Sequence, residues 1–371
     1  MIAADKPIRA ADAKLLYVDA DGGVHHGLRT DLVKLLHRGD VVVANDAATL
    51  PASLHGLHER TGAPIEVRLA GRTTSTMNAF VAVVFGAGDY RTRTEDRELP
   101  PTLLEGDVLV LGPLQAIVVS LLDHPRLVSL RFTASMAALW EGIVHHGRPI
   151  QYAHVSQSLE LWDVWTAIAG PPVAYEAPSA GFALDWRTVA AMRGKGVKFA
   201  TLTHAAGISS TGDPALDARL PFDEPYFIPE ATAIAINTAR AANRRVVAIG
   251  TTVVRALEHV GHDGVVAAGP GVANQRIGAA DTLCIVDAIV SGTHEAGSSH
   301  YELLRAFVDD ATLQHADAEL EAHSYRTHEF GDSIFVERQL ALRVGVRTTG
   351  SWRRERAVRH SNRALAQVGA K

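Results

Sequence analysis

Val246-Val247-Ala248-Ile249-Gly250-Thr251-Thr252-Val253-Val254-Arg255-Ala256-Leu257-Glu258 is the stretch on which the reading of this chain turns. Its unbroken apolar run fits a buried strand, Gly250 stops that strand, and two threonines open a helix. The first amides of a helix have no intrahelical partners and carry the positive end of its dipole, so the turn suits an anion. Thr251 and Thr252 can cap the helix or touch that anion. Arg255, one turn in, can add a charge-assisted bond to a carboxylate or phosphate. The alternative is a plain capped helix in which Arg255 pairs with Glu258 at i,i+3.

The same strand-and-helix texture extends on both sides. Upstream, Leu15 to Asp19 reads as a strand and Thr30 to His37 as a short amphipathic helix capped by Thr30 and ended by Gly39. Val41 to Ala44 is a second buried run. It delivers Asn45 and Asp46 at its carboxyl end, where open α/β sheets place ligands. Leu159 to Ile168, Asp185 to Arg193 and Pro229 to Asn243 read as helices, and Val197 to Leu202 as a strand. Between these halves the pattern changes to five short β-rich runs: Ile65 to Leu69, Phe80 to Phe85, Asp107 to Leu111, Ile117 to Leu122 and Leu127 to Phe132. With Gly, Pro and charged turns between them, they predict a small antiparallel barrel, followed by a helix over Ser135 to His145. The expected architecture is therefore an α/β (mixed α+β) core formed by residues 1–53 and 147–371, with a β-barrel inserted over 54–146.

Composition narrows the function. The chain has 371 residues, 47% of them hydrophobic, enough to bury a large core. No apolar run approaches the ~20 residues that span a bilayer, and Met1 to Ala10 lacks the pattern of a secretory leader. The single cysteine, Cys284, cannot form an internal disulfide. These features predict a cytoplasmic protein with no membrane partner, a monomer or weak homo-oligomer. A net charge of −5 argues against indiscriminate wrapping of nucleic acid. It leaves room for one basic face: nine Arg or Lys against two acidic residues from Glu337 to Lys371, with a basic tail over 345–371. Such a run is either a solvated tail or an RNA-backbone contact.

Read together, the motifs resemble the S-adenosylmethionine:tRNA ribosyltransferase-isomerase family of queuosine biosynthesis. Gly250 to Glu258 matches that family's Gly-Thr-Thr-x-x-Arg-x-Leu-Glu at every fixed position. Asn45-Asp46 with Leu50-Pro51-Ala52 resembles its early Asn-Asp segment, and Gly147-Arg148-Pro149-Ile150 with Tyr152 its Gly-x-Pro-x-x-Tyr. Ala177-Pro178-Ser179-Ala180-Gly181 resembles Ala-Pro-Thr-Ala-Gly. Glu224 and Tyr226 fit the end of His-x-His-x-Glu-x-Tyr, and His294, Ser298 and Ser299 fit Asn-Phe-His-Leu-Pro-x-Ser-Thr. Tyr325-Arg326 with Phe330-Gly331-Asp332 fits the closing Tyr-Arg and Gly-Asp. The departures are equally specific. Ala47-Ala48 stands where the family has Thr-Arg, Ala183 where it has His, and Leu220 and Phe222 where it has two more His. Gly292-Thr293 replaces Asn-Phe, and Glu295-Ala296 replaces Leu-Pro.

The resemblance implies transfer and isomerisation of the ribosyl part of S-adenosylmethionine, the donor, onto 7-aminomethyl-7-deazaguanine in tRNA, the partner. The product is epoxyqueuosine, with adenine and methionine released and no metal required. A sulfonium acidifies the adjacent C5′ protons, so such a site needs a base, a cradle for an anion and a donor for departing adenine. His294 or His204 are the candidate bases, and Glu224 or Asp332 the groups that would orient a histidine or a ribose hydroxyl. Asn45, Asp46, Arg148, Pro178, Ser179, Gly181, Tyr226, Gly250, Thr251, Thr252, Arg255 and Ser298 are the candidate binding residues. Other readings stay open: the same fold and pocket serving a different acceptor or reaction, or a binding protein that has lost catalytic groups. A third is a serine hydrolase through Ser179, although Pro171, Pro172 and Pro178 break the strand that a nucleophile elbow needs. The adjacent pairs His25-His26 and His145-His146 diverge on either a strand or a helix and so are poor chelators. No His-Glu-x-x-His or Cys-x-x-Cys spacing occurs.

Overall fold

In the computed structural model, which describes residues 2–6, 12–73 and 78–339, fifteen strands carry the architecture. In chain order they are β1 (Lys14–Val18), β2 (Val24–Leu28), β3 (Val41–Asn45), β4 (Ser53–His58), β5 (Ala63–Arg72), β6 (Ala79–Phe85), β7 (Val108–Leu111) and β8 (Leu114–His124). There follow β9 (Leu127–Phe132), β10 (Lys198–His204), β11 (Glu224–Ile228), β12 (Val246–Ile249), β13 (Gly269–Ala273), β14 (Ala288–Gly292) and β15 (Ser333–Glu337). Nine of them form one mixed sheet in the order β13-β11-β10-β3-β12-β14-β15-β1-β2, and β4 to β9 close into a six-stranded antiparallel barrel. The basic tail over 345–371 lies outside the described residues.

Four adjacent strands, β10, β3, β12 and β14, run parallel, so their carboxyl ends open at one edge of the sheet. β3 sits between β10 and β12, with Val42 opposite Phe199 on one side and Val247 on the other, and all five of its residues are buried. Burial on both faces explains why the strand reads as a continuous apolar run. The pleat sends Val41 and Val43 into one core layer, beneath the helices Glu230–Ala241 and Thr251–Val260. Val42 and Ala44 enter the other, against Leu32, Leu36 and Met192. Among the described residues no helix is long and apolar enough to cross a membrane.

Local differences from the sequence reading have identifiable causes. The barrel has six strands rather than five because Ser-Leu-His-Gly-Leu-His at 53–58 is itself a strand. Its histidines hide the pattern: His58 is buried by bonds to Asp107 (2.9 Å) and Thr61 (2.8 Å). Gly56 lies where a Cβ would come within 2.0 Å of the Val110 carbonyl oxygen, so a larger residue cannot occupy that crossing. The expected helix over Thr30 to His37 is a 3₁₀ turn plus the four residues Leu32–Leu35. The expected helix over Leu159 to Ile168 shrinks to Leu161–Val164, because Trp165 turns extended and its indole donates to the Thr49 carbonyl at 3.0 Å. The barrel fills with Leu54, Val67, Phe80, Leu109 and Leu130, and Phe80 meets Phe132 edge to face at 5.7 Å.

Candidate active site

A cavity of about 280 Å³ lies at the carboxyl ends of the parallel strands, the position that open α/β sheets use for ligands. One wall is the turn after β12. Gly250 has φ of +94°, a conformation favoured by glycine, and this backbone lets Thr251 start the helix Thr251–Val260 directly at the strand end. Neither threonine caps the helix through its side chain. Pro178 and Ser179, the loop Ala206 to Ser209, Ser291, Gly292, Ser299 and His300 also form part of the lining.

Thr251, Thr252, Pro178, Ser179, Glu224, Arg255 and His294 therefore share this cavity with Gly250. Arg255, however, is already committed to protein partners. It forms an ion pair with Glu224 and donates to the carbonyls of Ala273 (2.8 Å), Phe222 (3.2 Å) and Gln275 (3.2 Å). Glu224 also accepts from the Gly207 amide at 2.5 Å, so the pair clamps the loop after β10 to the helix after β12. Burial raises the Glu224 carboxyl and Arg255 pulls it back. The i,i+3 pairing with Glu258 is not formed. Glu258 instead accepts from the amides of Cys284 (2.6 Å), Ile285 (2.9 Å) and Val286 (2.8 Å). The anion-binding capacity of this wall thus rests on the helix amides rather than on the guanidinium.

Asn45 lies one layer below the cavity. It accepts from the amides of Ala47 (3.0 Å) and His204 (2.9 Å) and donates to the His204 carbonyl (2.9 Å), with Thr252 Oγ1 at 3.4 Å. It ties the ends of β3 and β10 together. Asp46 holds Thr203 Oγ1 at 2.7 Å, and Gly181 packs where a Cβ would meet Thr166 at 2.8 Å.

Besides Asn45, Asp46 and Gly181, five expected residues stand apart from the cavity lining, each for a physical reason. His204 is fully buried, its ring nitrogens make no hydrogen bond, and Nε2 lies 3.7 Å from a Glu224 carboxylate oxygen; it stacks on Tyr226 and is pushed down to about 3 by burial, so it is a neutral core ring rather than a base. Tyr226 turns its hydroxyl to His259 Nδ1 at 2.9 Å. Asp332 accepts from the amides of Lys14 (2.6 Å) and Arg326 (2.8 Å), a brace between distant chain segments. Arg148 is exposed and faces Glu160 at 3.3 Å. Ser298 caps the helix Ser299–Leu304 by accepting from the Tyr301 amide at 3.2 Å.

The cavity also contains groups that the local sequence did not flag. His300 stacks on His294 with centroids 4.2 Å apart; burial lowers the affinity of both rings for a proton, and His300 lowers that of His294 further. Glu176 lines the wall opposite the helix start, and burial lifts it to about 7. Tyr152 donates to it at 2.5 Å, while the nearby Glu329 carboxylate raises it further. Behind Glu176, His154, His328 and Glu329 gather, with His154 bonded to Glu329 at 3.0 Å. The His154 and His328 rings are stacked 4.5 Å apart and only 20° from parallel, so one ion cannot lie in both ring planes. His26, Glu319 and His323 form a second such group on the surface. Of the adjacent pair, His25 bonds Asp19 and His26 bonds Tyr325, on opposite sides of the strand.

Comparison with known proteins adds to this geometry. The family model described as queuosine biosynthesis protein matches residues 1–336. The S-adenosylmethionine:tRNA ribosyltransferase-isomerase of Sorangium cellulosum is 31% identical over 358 residues, covering 91% of this chain and 95% of the relative. The enzyme of the same name from Aromatoleum aromaticum is 32% identical over 331 residues, covering 87% and 90%. A solved S-adenosylmethionine tRNA ribosyltransferase from Thermotoga maritima aligns at 22% identity with a TM-score of 0.48, covering 90% of this chain and 96% of that one.

Proposed function

The chain belongs to the queuosine biosynthesis protein family and is an enzyme of the transferase and isomerase kind, and from that premise we propose that it transfers and isomerises the ribosyl group of S-adenosylmethionine onto 7-aminomethyl-7-deazaguanine in tRNA, giving epoxyqueuosine in the cytoplasm. The observation that carries this reading is a single cavity bounded by a bare helix start at Gly250-Thr251-Thr252 on one side and by His294 on the other. Its volume, about 280 Å³, is near the lower end of small-ligand sites.

In this reading the amides of Thr251 and Thr252 receive the carboxylate of the methionine portion, where the helix dipole favours negative charge. The Glu224–Arg255 clamp fixes the position of those amides without meeting the anion through its own free donors. His294 and His300, neutral and stacked, offer a flat ring surface to adenine and a ring nitrogen to hydrogen-bond the departing base. No step requires a metal from these residues. The sulfonium itself supplies the electrophilic activation, by making the C5′ hydrogens acidic and methionine a good leaving group.

Incubating the full chain with labelled S-adenosylmethionine and tRNA bearing 7-aminomethyl-7-deazaguanine tests the proposal. Labelled tRNA with release of adenine and methionine is expected. Release of both without labelled tRNA would assign a different acceptor, and absence of all three products would refute the reading.

A further inference from the structure

We propose that Glu176 is the group that accepts the C5′ proton of the sulfonium donor, with Tyr152 and Glu329 setting its readiness to do so. The inference rests on the functional reading above and deepens it. It starts from placement. Glu176 follows the short strand Pro172–Ala174, and the amide of the preceding Tyr175 is pinned to the Ala206 carbonyl at 2.8 Å. This pin fixes Glu176 against the loop after β10, and Glu176 lines the same cavity as Gly250, Thr251 and His294.

The two histidines considered as bases are less suited. His204 is sealed from the cavity, and His294 is so desolvated that its protonated form is strongly disfavoured. A base is most effective when its conjugate acid has a pKa near the working pH, and Glu176 is held at about 7. The shift has identifiable sources on every element packed against it. Burial raises it, Ser209 lowers it by hydrogen bonding, Tyr152 lowers it by donating at 2.5 Å, and Glu329 raises it by like charge. Tyr152 is itself anchored, accepting from the Ser210 amide at 3.3 Å, with the Arg68 guanidinium 5.5 Å from its ring centroid. His154 holds Glu329 in place at 3.0 Å. A carboxylate pushed up by burial, steadied by a tyrosine donor and sitting in a cleft is the environment that makes carboxyls into bases near neutral pH.

The proton balance closes within the site. The C5′–H bond breaks and an O–H bond forms on Glu176, leaving the electron pair on C5′, stabilised by the adjacent sulfonium. That pair forms a C4′–C5′ double bond as the C4′–O4′ bond breaks, the freed O4′ pair forms a carbonyl at C1′, and the pair of the breaking C1′–adenine bond leaves on the adenine nitrogen. The proton on Glu176 then passes to the departing base, restoring the carboxylate and releasing neutral adenine.

The test compares wild type with Glu176→Gln, Tyr152→Phe and Glu329→Gln in the full chain, following adenine release with tRNA present and exchange of the donor's C5′ hydrogens in deuterated buffer. E176Q is expected to lower kcat by about 10²- to 10⁴-fold, the usual loss on removing a general base, with KM for the donor little changed. It should also abolish the exchange. Since the carboxylate is the working form, wild-type kcat/KM should rise with pH through about 7. Y152F removes a donor to the carboxylate and should move that limb to higher pH; E329Q removes a like charge and should move it lower. A merely structural Glu176 would not produce opposite shifts in the two variants. E176Q within threefold of wild type, or Y152F and E329Q leaving the limb unmoved, overturns the proposal, and the latter pair decides the matter even if E176Q does not fold. A wild-type chain that neither releases adenine nor exchanges C5′ hydrogens refutes the functional reading itself, a result distinct from an active wild type with an unaffected E176Q.

Discussion

Replacing Arg255 with leucine tests whether the cavity wall is held by a buried charge pair. The guanidinium is 4% exposed and its partner Glu224 6% exposed, so neither charge is relieved by water. Removing Arg255 leaves the Glu224 carboxylate without its counter-charge and strands the carbonyls of Phe222, Ala273 and Gln275. Breaking one side of a buried pair costs about 3–5 kcal/mol, and orphaned carbonyls add to that only as far as the packing cannot readmit water. The expected loss of unfolding free energy is therefore about 4 kcal/mol at pH 8, measured by urea denaturation. The sign of its pH dependence follows from Glu224. Burial already raises that carboxyl and Arg255 opposes the rise, so without Arg255 the folded-state pKa climbs further above the unfolded value. A group raised on folding stabilises the folded state below its unfolded pKa and loses that contribution as pH increases through the folded value. R255L should accordingly recover part of its stability as pH is lowered from 8 to 5, the direction that favours the neutral Glu224 carboxyl. Adding Glu224→Leu should restore stability beyond the sum of the two single losses, because no buried charge then remains. An R255L protein that loses less than about 1 kcal/mol, or loses equally at pH 5 and pH 8, would refute the clamp.

Three further outcomes follow from the same contacts. Gly250→Val must accommodate a β-branched residue at φ of +94° with a Cβ 3.2 Å from Ala180, so donor binding by calorimetry should weaken at least tenfold, while Thr251→Ser should bind within threefold. His204→Phe removes two buried nitrogens that make no hydrogen bond and keeps the ring against Tyr226, so stability should be unchanged or improved and turnover retained; a hundredfold loss in kcat would return His204 to the chemistry. Glu66 is buried between Arg68 and Arg97, and although burial raises its carboxyl, the two arginines hold it down at about 2. Glu66→Gln should therefore cost about 3 kcal/mol at pH 7, and the wild-type contribution should fade as pH drops from the unfolded carboxyl range toward 2, read from acid unfolding curves.

The parts of the fold that were legible in sequence are those where local pattern and burial agree. Val246–Ile249 lies where its apolar run predicted, and Val41–Asn45 extends its run by one residue. Asp185 and Ser135 were legible as helix starts because each side chain accepts from the amide three residues on. Ser53–His58 was not, since its inward histidine is satisfied by Asp107, a partner 49 positions away. The same limit explains the site. Gly250, Thr251 and Thr252 could be recognised because a strand end and a helix start adjoin in sequence, so the chemistry is local. Glu176 could not: nothing in Tyr175-Glu176-Ala177 announces a perturbed carboxyl, because Tyr152, Ser209 and Glu329 reach it from three other segments. Asp332 misled for the opposite reason, as its motif position suggested chemistry while its oxygens are used by the amides of Lys14 and Arg326.

Insertion of the barrel between β3 and its two neighbours in the sheet, β10 and β12, has a consequence for how the chain acquires its shape. Val41–Asn45 emerges early in synthesis, yet the bond from Asn45 to His204 spans 159 positions and the register with Val246–Ile249 spans still more. The barrel strands, by contrast, find most of their neighbours within the stretch just made, so that unit can assemble while β3 is still unpartnered. Until the later strands arrive, five consecutive buried residues stand uncovered with both hydrogen-bonding edges vacant. Nascent chains halted shortly after the barrel should thus be the species most prone to self-association and to capture by chaperones.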